Sequence, residues 1–445
     1  MRLHKTLLNG LGPIASGSMA VSSEHRQHTA TKILVFEPHA NGHHGPYLQW
    51  MAQGLVERGF KVTVVTLPES LAHPSMQMLE DASRAAGQTN LRLISADDLP
   101  SRFVGQGSSA GLAARELAYW RLFRAWYRTY AETVRPDVVF LPYLDYCLYA
   151  IGLLGSPFGD RPWVGVAMRP SFHYQQMGVV APPPSLAAFK KALFFRLLRN
   201  RNLRRLLTID EPLAQYLAAR PALAAKVALL PEPAEFSDFP DRDEAKHRLG
   251  LPAERKLVLV YGAVTARKGV RELLSALANP AFPPLVDVLL AGMISPEIHQ
   301  ALADPAVAPF VAEGRVRLLD RFIKTQEEPI LFAAADIIWL GYRGHYTASG
   351  ALVQAASAGR PVIACEEGII GWQTRRHGLG EAVRLQDPTT VCAAISALLQ
   401  RLPAQSVCAD VGYPFQSSFA SACDALIAAI TGSALNTIVD ASHAP

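Results

Sequence analysis

Two short stretches, far apart in the chain, carry residues suited to holding an anion. The first is Tyr261-Gly262-Ala263-Val264-Thr265-Ala266-Arg267-Lys268-Gly269, where an apolar run turns at Gly262 and delivers two cations to a helix start. The second is Tyr346-Thr347-Ala348-Ser349-Gly350-Ala351, which opens the apolar segment Leu352-Val353-Gln354-Ala355-Ala356 and reads as a helix entered through a hydroxyl cap. The first turn of a helix leaves backbone N–H groups without partners and carries partial positive charge, so Ser349, Gly350 and Ala351 make a ready phosphate site. Lys268, assisted by Arg267, brings full charge to the same anion. Fixed cations and amide dipoles aimed at one place serve a departing diphosphate, because they meet the charge as it develops. Lys268 has a plainer reading as a solvated lysine at a helix start. Gln354, one turn into the helix, offers an amide oxygen to a ligand hydroxyl, or is a half-buried surface glutamine.

A further set precedes these. Asn41-Gly42-His43-His44-Gly45 is a tight loop with two imidazoles. Either imidazole can donate to a phosphate oxygen or act as a base, or the pair can cap the loop. Two histidines also raise zinc, but no third and fourth ligand has the spacing to complete a site, so no metal is expected. Asp145 follows a buried strand, placed to deprotonate an acceptor, to bind its hydroxyls, or to cap a helix. Arg169 and His173 follow the next strand at the same edge, Arg169 as an anion clamp.

The elements that position these residues alternate. Lys32–Phe36, Lys61–Thr66, Leu91–Ile94, Asp137–Leu141, Trp163–Met168 and Val227–Leu230 read as strands, and Leu206–Pro212 as a short strand and turn before a helix, with helices between them. A second series starts at Lys256–Gly262 and continues near 286–291, 315–319, 336–340 and 361–364. This is the pattern of parallel sheets, whose ligands sit beyond the carboxyl ends of the strands. Pro231 to Asp243 is rich in proline and acid and reads as a linker. The aromatic helix at 113–134 reads as core, or as a wall facing an acceptor.

The chain has 445 residues, 50% of them hydrophobic and 18% charged, enough for two buried cores. A net charge of +5 with no dense basic and aromatic stripe argues against nucleic acid. Five scattered cysteines argue for a reducing, cytoplasmic setting. Residues 1–30 read as a disordered leader or an over-long start rather than a signal peptide. The stretch 189–205 is the most basic and is interleaved with Leu and Phe; it reads as an amphipathic helix, either docking to an anionic membrane surface or packed with a solvated basic face.

Gln354-Ala355-Ala356-Ser357-Ala358-Gly359-Arg360-Pro361-Val362-Ile363 resembles the EAMAxGxPVI segment of GT-B glycosyltransferases of the family 4 type. Arg267-Lys268-Gly269 is similar to that family's xKG segment. The resemblance runs from residue 32 to about 430. It implies an α/β chain with two Rossmann-like domains facing a central cleft, without cofactor or metal. The implied reaction moves a sugar from a nucleotide-diphosphate donor to a hydroxyl acceptor with retention. Arg321-Phe322-Ile323 stands where the family cradles the base. Two glutamates eight positions apart usually mark the family; here Tyr346 and Gln354 hold those places, and Ala263 holds that of a usual arginine. Tyr346, with His345 or Thr347, would then meet the sugar, and Glu366-Glu367 stand close enough in the chain to join them. The implied division is a leader at 1–30, an acceptor domain at 31–232, a donor domain at 233–412, a helix crossing back at 413–432 and a tail at 433–445. Two other readings stay open: a non-catalytic homologue that binds a glycan or partner, and a sugar-nucleotide epimerase.

Overall fold

A computed structural model of the protein describes residues 31–85, 87, 89–96, 109–233, 238–401 and 419–433. The expected leader, the expected boundary near 412 and all but the first residue of the expected tail lie outside these residues.

Among the described residues two parallel sheets form. The first has seven strands: β1 (Lys32–Phe36), β2 (Lys61–Thr66), β3 (Leu91–Ser95), β4 (Val138–Leu141), β5 (Trp163–Ala167), β6 (Leu203–Thr208) and β7 (Val227–Leu229), in the order β3-β2-β1-β4-β5-β6-β7. The second has six: β8 (Lys256–Tyr261), β9 (Val286–Ala291), β10 (Val316–Leu319), β11 (Ile337–Leu340), β12 (Val362–Cys365) and β13 (Gly380–Val383), in the order β10-β9-β8-β11-β12-β13. Central strands such as β4, β5 and β11 are buried along their whole length, which is why they read as unbroken apolar runs rather than alternating ones. In both sheets the order reverses beside the first strand, between β1 and β4 and between β8 and β11. A crevice opens at such a reversal because the neighbouring connections leave toward opposite faces.

The helices that matter here are α1 (His44–Glu57), α2 (Ser109–Val134), α3 (Leu148–Leu154), α4 (Ala187–Leu198), α5 (Glu211–Ala218), α6 (Arg242–Arg248), α7 (Gly350–Ser357), α8 (Gly368–Arg376) and α9 (Phe419–Thr431). The last returns to the first sheet: Leu426, Ala429 and Ile430 join the core built on β1, β4, β5 and β6. At Gly54 of α1 a Cβ would lie 2.2 Å from Cys423 Sγ, so α1 and α9 meet at a glycine.

The basic stretch 189–205 is not one helix. α4 ends at Leu198, and Arg204 and Arg205 lie in β6. Arg201 pairs with Asp160, and the Arg204 guanidinium donates to the Ile430 carbonyl oxygen at the end of α9. Lys190 folds over the Tyr149 ring at 5.9 Å, and Lys191 over Phe195 and Tyr216 at 5.8 and 5.5 Å. Arg196 and Arg199 remain exposed. No helix among the described residues is long and apolar enough to cross a membrane.

The two halves are clasped on one side. Trp372 Nε1 of α8 donates to Met177 O at 2.7 Å, Gly368 N donates to Val180 O at 2.8 Å, and Tyr174 Oη donates to Tyr346 O at 2.9 Å. Tyr174, Val179, Ile369 and Trp372 form a small buried cluster across the junction. Gln373 of α8 and His377 just after it both reach the Glu211 carboxylate at the start of α5.

Candidate functional site

A cleft of about 870 Å³ lies between the halves. The first sheet contributes the loops after β1 and β5; the second contributes those after β8 and β11. Of the residues singled out from the sequence, Gly42, His43, Arg169, Arg267, His345, Tyr346, Thr347, Ser349 and Gly350 line it.

The loop after β1 is shaped by glycine. A Cβ on Gly45 would lie 2.6 Å from the Ala40 carbonyl oxygen, to which Gly45 N donates at 3.1 Å, so the chain can enter α1 this tightly only without a side chain. Asn41 is exposed in the turn. His43 faces the cleft, stacked on His44 at 4.4 Å and set edge-on to Tyr143 at 5.5 Å. Burial, then the nearby His44, Arg169 and His345, push its pKa down to about 4. His43 is therefore a neutral imidazole at neutral pH, with one ring nitrogen as a hydrogen-bond acceptor. His44 turns inward instead, with Nδ1 3.1 Å from Tyr146 Oη, whose own proton goes to the buried Glu37 at 2.7 Å.

Asp145 accepts from the backbone N–H of Met168 at 2.7 Å and of Arg169 at 2.9 Å, one on each carboxylate oxygen. Burial raises its pKa to about 6 against those two bonds. Its visible work is to tie the end of β5 to the loop after β4, which fixes the backbone under Arg169. Arg169 lies over the Tyr143 ring at 5.7 Å. His173 was expected at the cleft and is not there. It is fully buried with Asp210 at 3.2 Å, because Phe172, Tyr174 and Tyr216 enclose it. Its neighbour Tyr174 takes the cleft position.

The two cations after β8 exchange the parts expected of them. Arg267 is exposed and lines the cleft. Lys268 is only 8% exposed and donates to Tyr261 O at 2.6 Å and to Tyr342 Oη at 2.9 Å. It also sits over the Tyr342 ring at 4.8 Å, and a Cβ on Gly262 would lie 3.4 Å from its Nζ. Trp339 Nε1 holds the Lys268 carbonyl at 2.8 Å and locks the turn. Tyr342, which no motif pointed to, stands between the lysine and the cleft. Burial would raise its phenol pKa, but Lys268, a hydrogen bond with Ser349 and the charge of Arg267 bring it below the ordinary value. The Ser349 hydroxyl is thus drawn to Tyr342 and makes no cap bond to α7, contrary to the expected hydroxyl cap.

The loop after β11 supplies His345, Tyr346, Thr347 and Ser349. His345 Nε2 lies 3.1 Å from Thr347 Oγ1, and its pKa is lowered by burial and by Arg267, Arg169 and Lys268. The Tyr346 phenol bonds Glu367 and is raised by burial and by that carboxylate. In α7, Ala351 follows Gly350, and Gln354 lies one turn on, on the same face. Gln354 is 6% exposed, and its Oε1 has no hydrogen-bond partner among the described residues. A buried amide oxygen without a partner is costly, but Gln354 is not among the residues that line the cleft. Phe322 is 76% exposed and is not among the lining residues.

Three features of the cleft were not read from the sequence. These are Tyr342, the Glu232 carboxylate beside Gly350, and the apolar wall Ala181-Pro182-Pro183-Pro184. Only the proline run was visible as a pattern, and nothing local says that it borders a cleft.

No family model matches the chain, and no curated protein matches it. Solved structures do resemble it. A sucrose-phosphate synthase from Thermosynechococcus elongatus aligns at TM-score 0.56 and 18% identity, over 89% of this chain and 94% of that one. WaaG, a glycosyltransferase involved in lipopolysaccharide biosynthesis, aligns at 0.55 and 16%, over 91% and 100%. HepE of Anabaena, in complex with UDP and glucose, aligns at 0.56 and 15%, over 90% and 99%. At these identities the likeness concerns the fold. That fold is the α/β architecture of the GT-B glycosyltransferases, two parallel-sheet halves facing a cleft.

Proposed function

We propose that the protein is a glycosyltransferase that takes a sugar from a nucleotide-diphosphate donor and passes it to a hydroxyl acceptor. The observation that carries this reading is that Arg169 and Arg267, from opposite halves, both line a cleft that Ser349 and Gly350, at the start of α7, also line. Two guanidinium groups and a helix amino end suit a leaving diphosphate. In a partly dry site they stabilise it more than water does. Structures of like fold that hold UDP and glucose support a nucleotide-sugar donor.

Lys268 acts from behind, setting Tyr342 and through it Ser349. Tyr346 and Thr347 are assigned to the sugar side, and His43 to the reacting hydroxyls. The course follows the family resemblance and is retention; an inverted anomeric configuration in the product, read by NMR, would instead make His43 the base. The arginines do the work that a metal does elsewhere, so chelation with EDTA leaves turnover unchanged.

The acceptor side is apolar: Met168, Ala181, Pro182, Pro183 and Pro184 form it, and Leu186 and Phe189 follow at the surface, 65% and 55% exposed. This favours a lipid-linked acceptor and peripheral contact with an anionic membrane, helped by Arg196 and Arg199. Co-sedimentation with anionic vesicles at low and high salt tests the contact. Retention by the vesicles should fall in Phe189→Glu, and absence of binding at either salt removes the membrane part.

The main test is calorimetry against a panel of nucleotide-diphosphate sugars, followed by turnover with and without acceptors. Binding without turnover points to the non-catalytic homologue. Free rearranged sugar without any acceptor points to an epimerase. No binding to any member of the panel overturns the donor site.

A further inference from the structure

Glu232 is the sole carboxylate among the described residues that line the cleft. It stands just after β7, where the chain leaves the first half. Its Oε1 accepts the Tyr47 hydroxyl of α1 at 2.7 Å. The same oxygen lies 3.3 Å from where a Cβ on Gly350 would be, with the carboxyl carbon at 3.8 Å. A negative charge is therefore stationed against the first residue of α7. That terminus has no side-chain cap of its own, since Ser349 makes none. Burial, and then Glu232, raise the Tyr47 pKa well above the ordinary range, so Tyr47 is a neutral donor that holds the carboxylate where it is.

The amino end of a helix favours one anion, and two anions brought to it repel each other. The charge of the incoming ligand then decides how strongly Glu232 opposes it. Free pyrophosphate and nucleoside diphosphates carry an ionised terminal phosphate. In a nucleotide sugar that phosphate is esterified and carries one charge fewer, while the sugar brings hydroxyls that can donate to a carboxylate.

We propose that Glu232 is a resident counter-anion of the α7 amino end and makes the diphosphate subsite discriminate against the spent nucleoside diphosphate in favour of the intact donor. The proposal rests on the donor site described under the proposed function. It gives the cleft a reason to release its product, and it gives a role to the one acid that lines the cleft among the described residues, where the resembled glutamates are missing.

The test is calorimetry on the full chain, with inorganic pyrophosphate and UDP-glucose as probes. Glu232→Gln should bind pyrophosphate about tenfold more tightly than the unaltered protein, which is about 1.4 kcal/mol. UDP-glucose should gain less than threefold, so the preference for the sugar ester narrows. Tyr47→Phe keeps the charge but removes its tether; it should shift pyrophosphate in the same direction by a smaller factor. Thermal unfolding of each variant shows whether it is folded, and if Glu232→Gln is not, Tyr47→Phe decides. Pyrophosphate affinity that is unchanged or weaker in the folded variants overturns the role of Glu232, even where UDP-glucose binds. If neither probe binds any of the proteins, the diphosphate site itself is wrong and this role falls with it.

Discussion

Gly368→Ala tests how the cleft loop is held. Gly368 starts α8 with φ +77°, and a Cβ there would lie 2.5 Å from His345 O and 2.9 Å from Tyr346 Cα. Ordinary carbon contacts need about 3.5 Å, so the loop that carries His345 to Ser349 must retreat by roughly 1 Å. Left-handed backbone costs alanine about 1–2 kcal/mol, and overpacking adds about 1–3 kcal/mol. Gly378 provides the control, with φ +61° and nothing within 4 Å of its Cβ position. Its alanine bears the backbone cost alone. Side-by-side thermal unfolding should place Gly368→Ala below Gly378→Ala by several degrees, at about 2–4 °C per kcal/mol for a domain of this size. Turnover should fall in Gly368→Ala alone, by about 100-fold, since a shift of 1 Å at reacting groups costs that much. Equal melting temperatures and equal turnover in the two alanines would refute the claim that this turn positions the loop.

Other outcomes follow from the same geometry. Arg267→Ala and Arg169→Ala should each weaken pyrophosphate binding in calorimetry with little change in melting temperature, because both side chains line the cleft. Lys268→Ala should instead destabilise by about 1.5–3 kcal/mol in denaturant titration, since Tyr261 O and Tyr342 Oη lose a charged donor. Asp336→Ala should cost about 3–5 kcal/mol, because the buried Lys246, itself 1% exposed, loses the carboxylate 3.0 Å away that offsets its burial. Burial works against the ionised Asp336, yet Lys246, Lys256 and the Leu257 N–H hold its pKa below the ordinary value. Its stabilisation is therefore complete above the unfolded carboxylate pKa of about 3.9 and is lost as pH falls through the lower folded value. An acid-unfolding midpoint that is the same with and without Asp336 would contradict this.

The strands of both sheets were legible wherever an unbroken apolar run met a turn signal. β13 was missed because Gly380-Glu381-Ala382-Val383 has no such run and is only half-buried over most of its length. The basic stretch misled for the opposite reason. Leu and Arg alternate through 193–205 in a way that suits one helix, but β5 claims Leu203 to Thr208 by pairing with them. His43 and Arg169 were visible as residue types beside strand ends. His173 was visible in the same way and proved to be core, since a strand end offers both a cleft side and a buried side.

The alternation of strands and helices, and hence the parallel character of both sheets, was legible in the sequence alone for every strand but β13, because strand propensity and turn chemistry act over a few neighbouring residues; the strand order with its reversal points came from the tertiary structure. Which of two adjacent cations meets the cleft was not legible either. Arg267 and Lys268 differ only in how Trp339 and Tyr342, some seventy positions away, lock the turn between them. Tyr47 and Glu232 stand 185 positions apart and meet beside Gly350 only once both halves have folded. Contacts of that kind depend on where two separately built sheets bring their loops, and no local pattern records them.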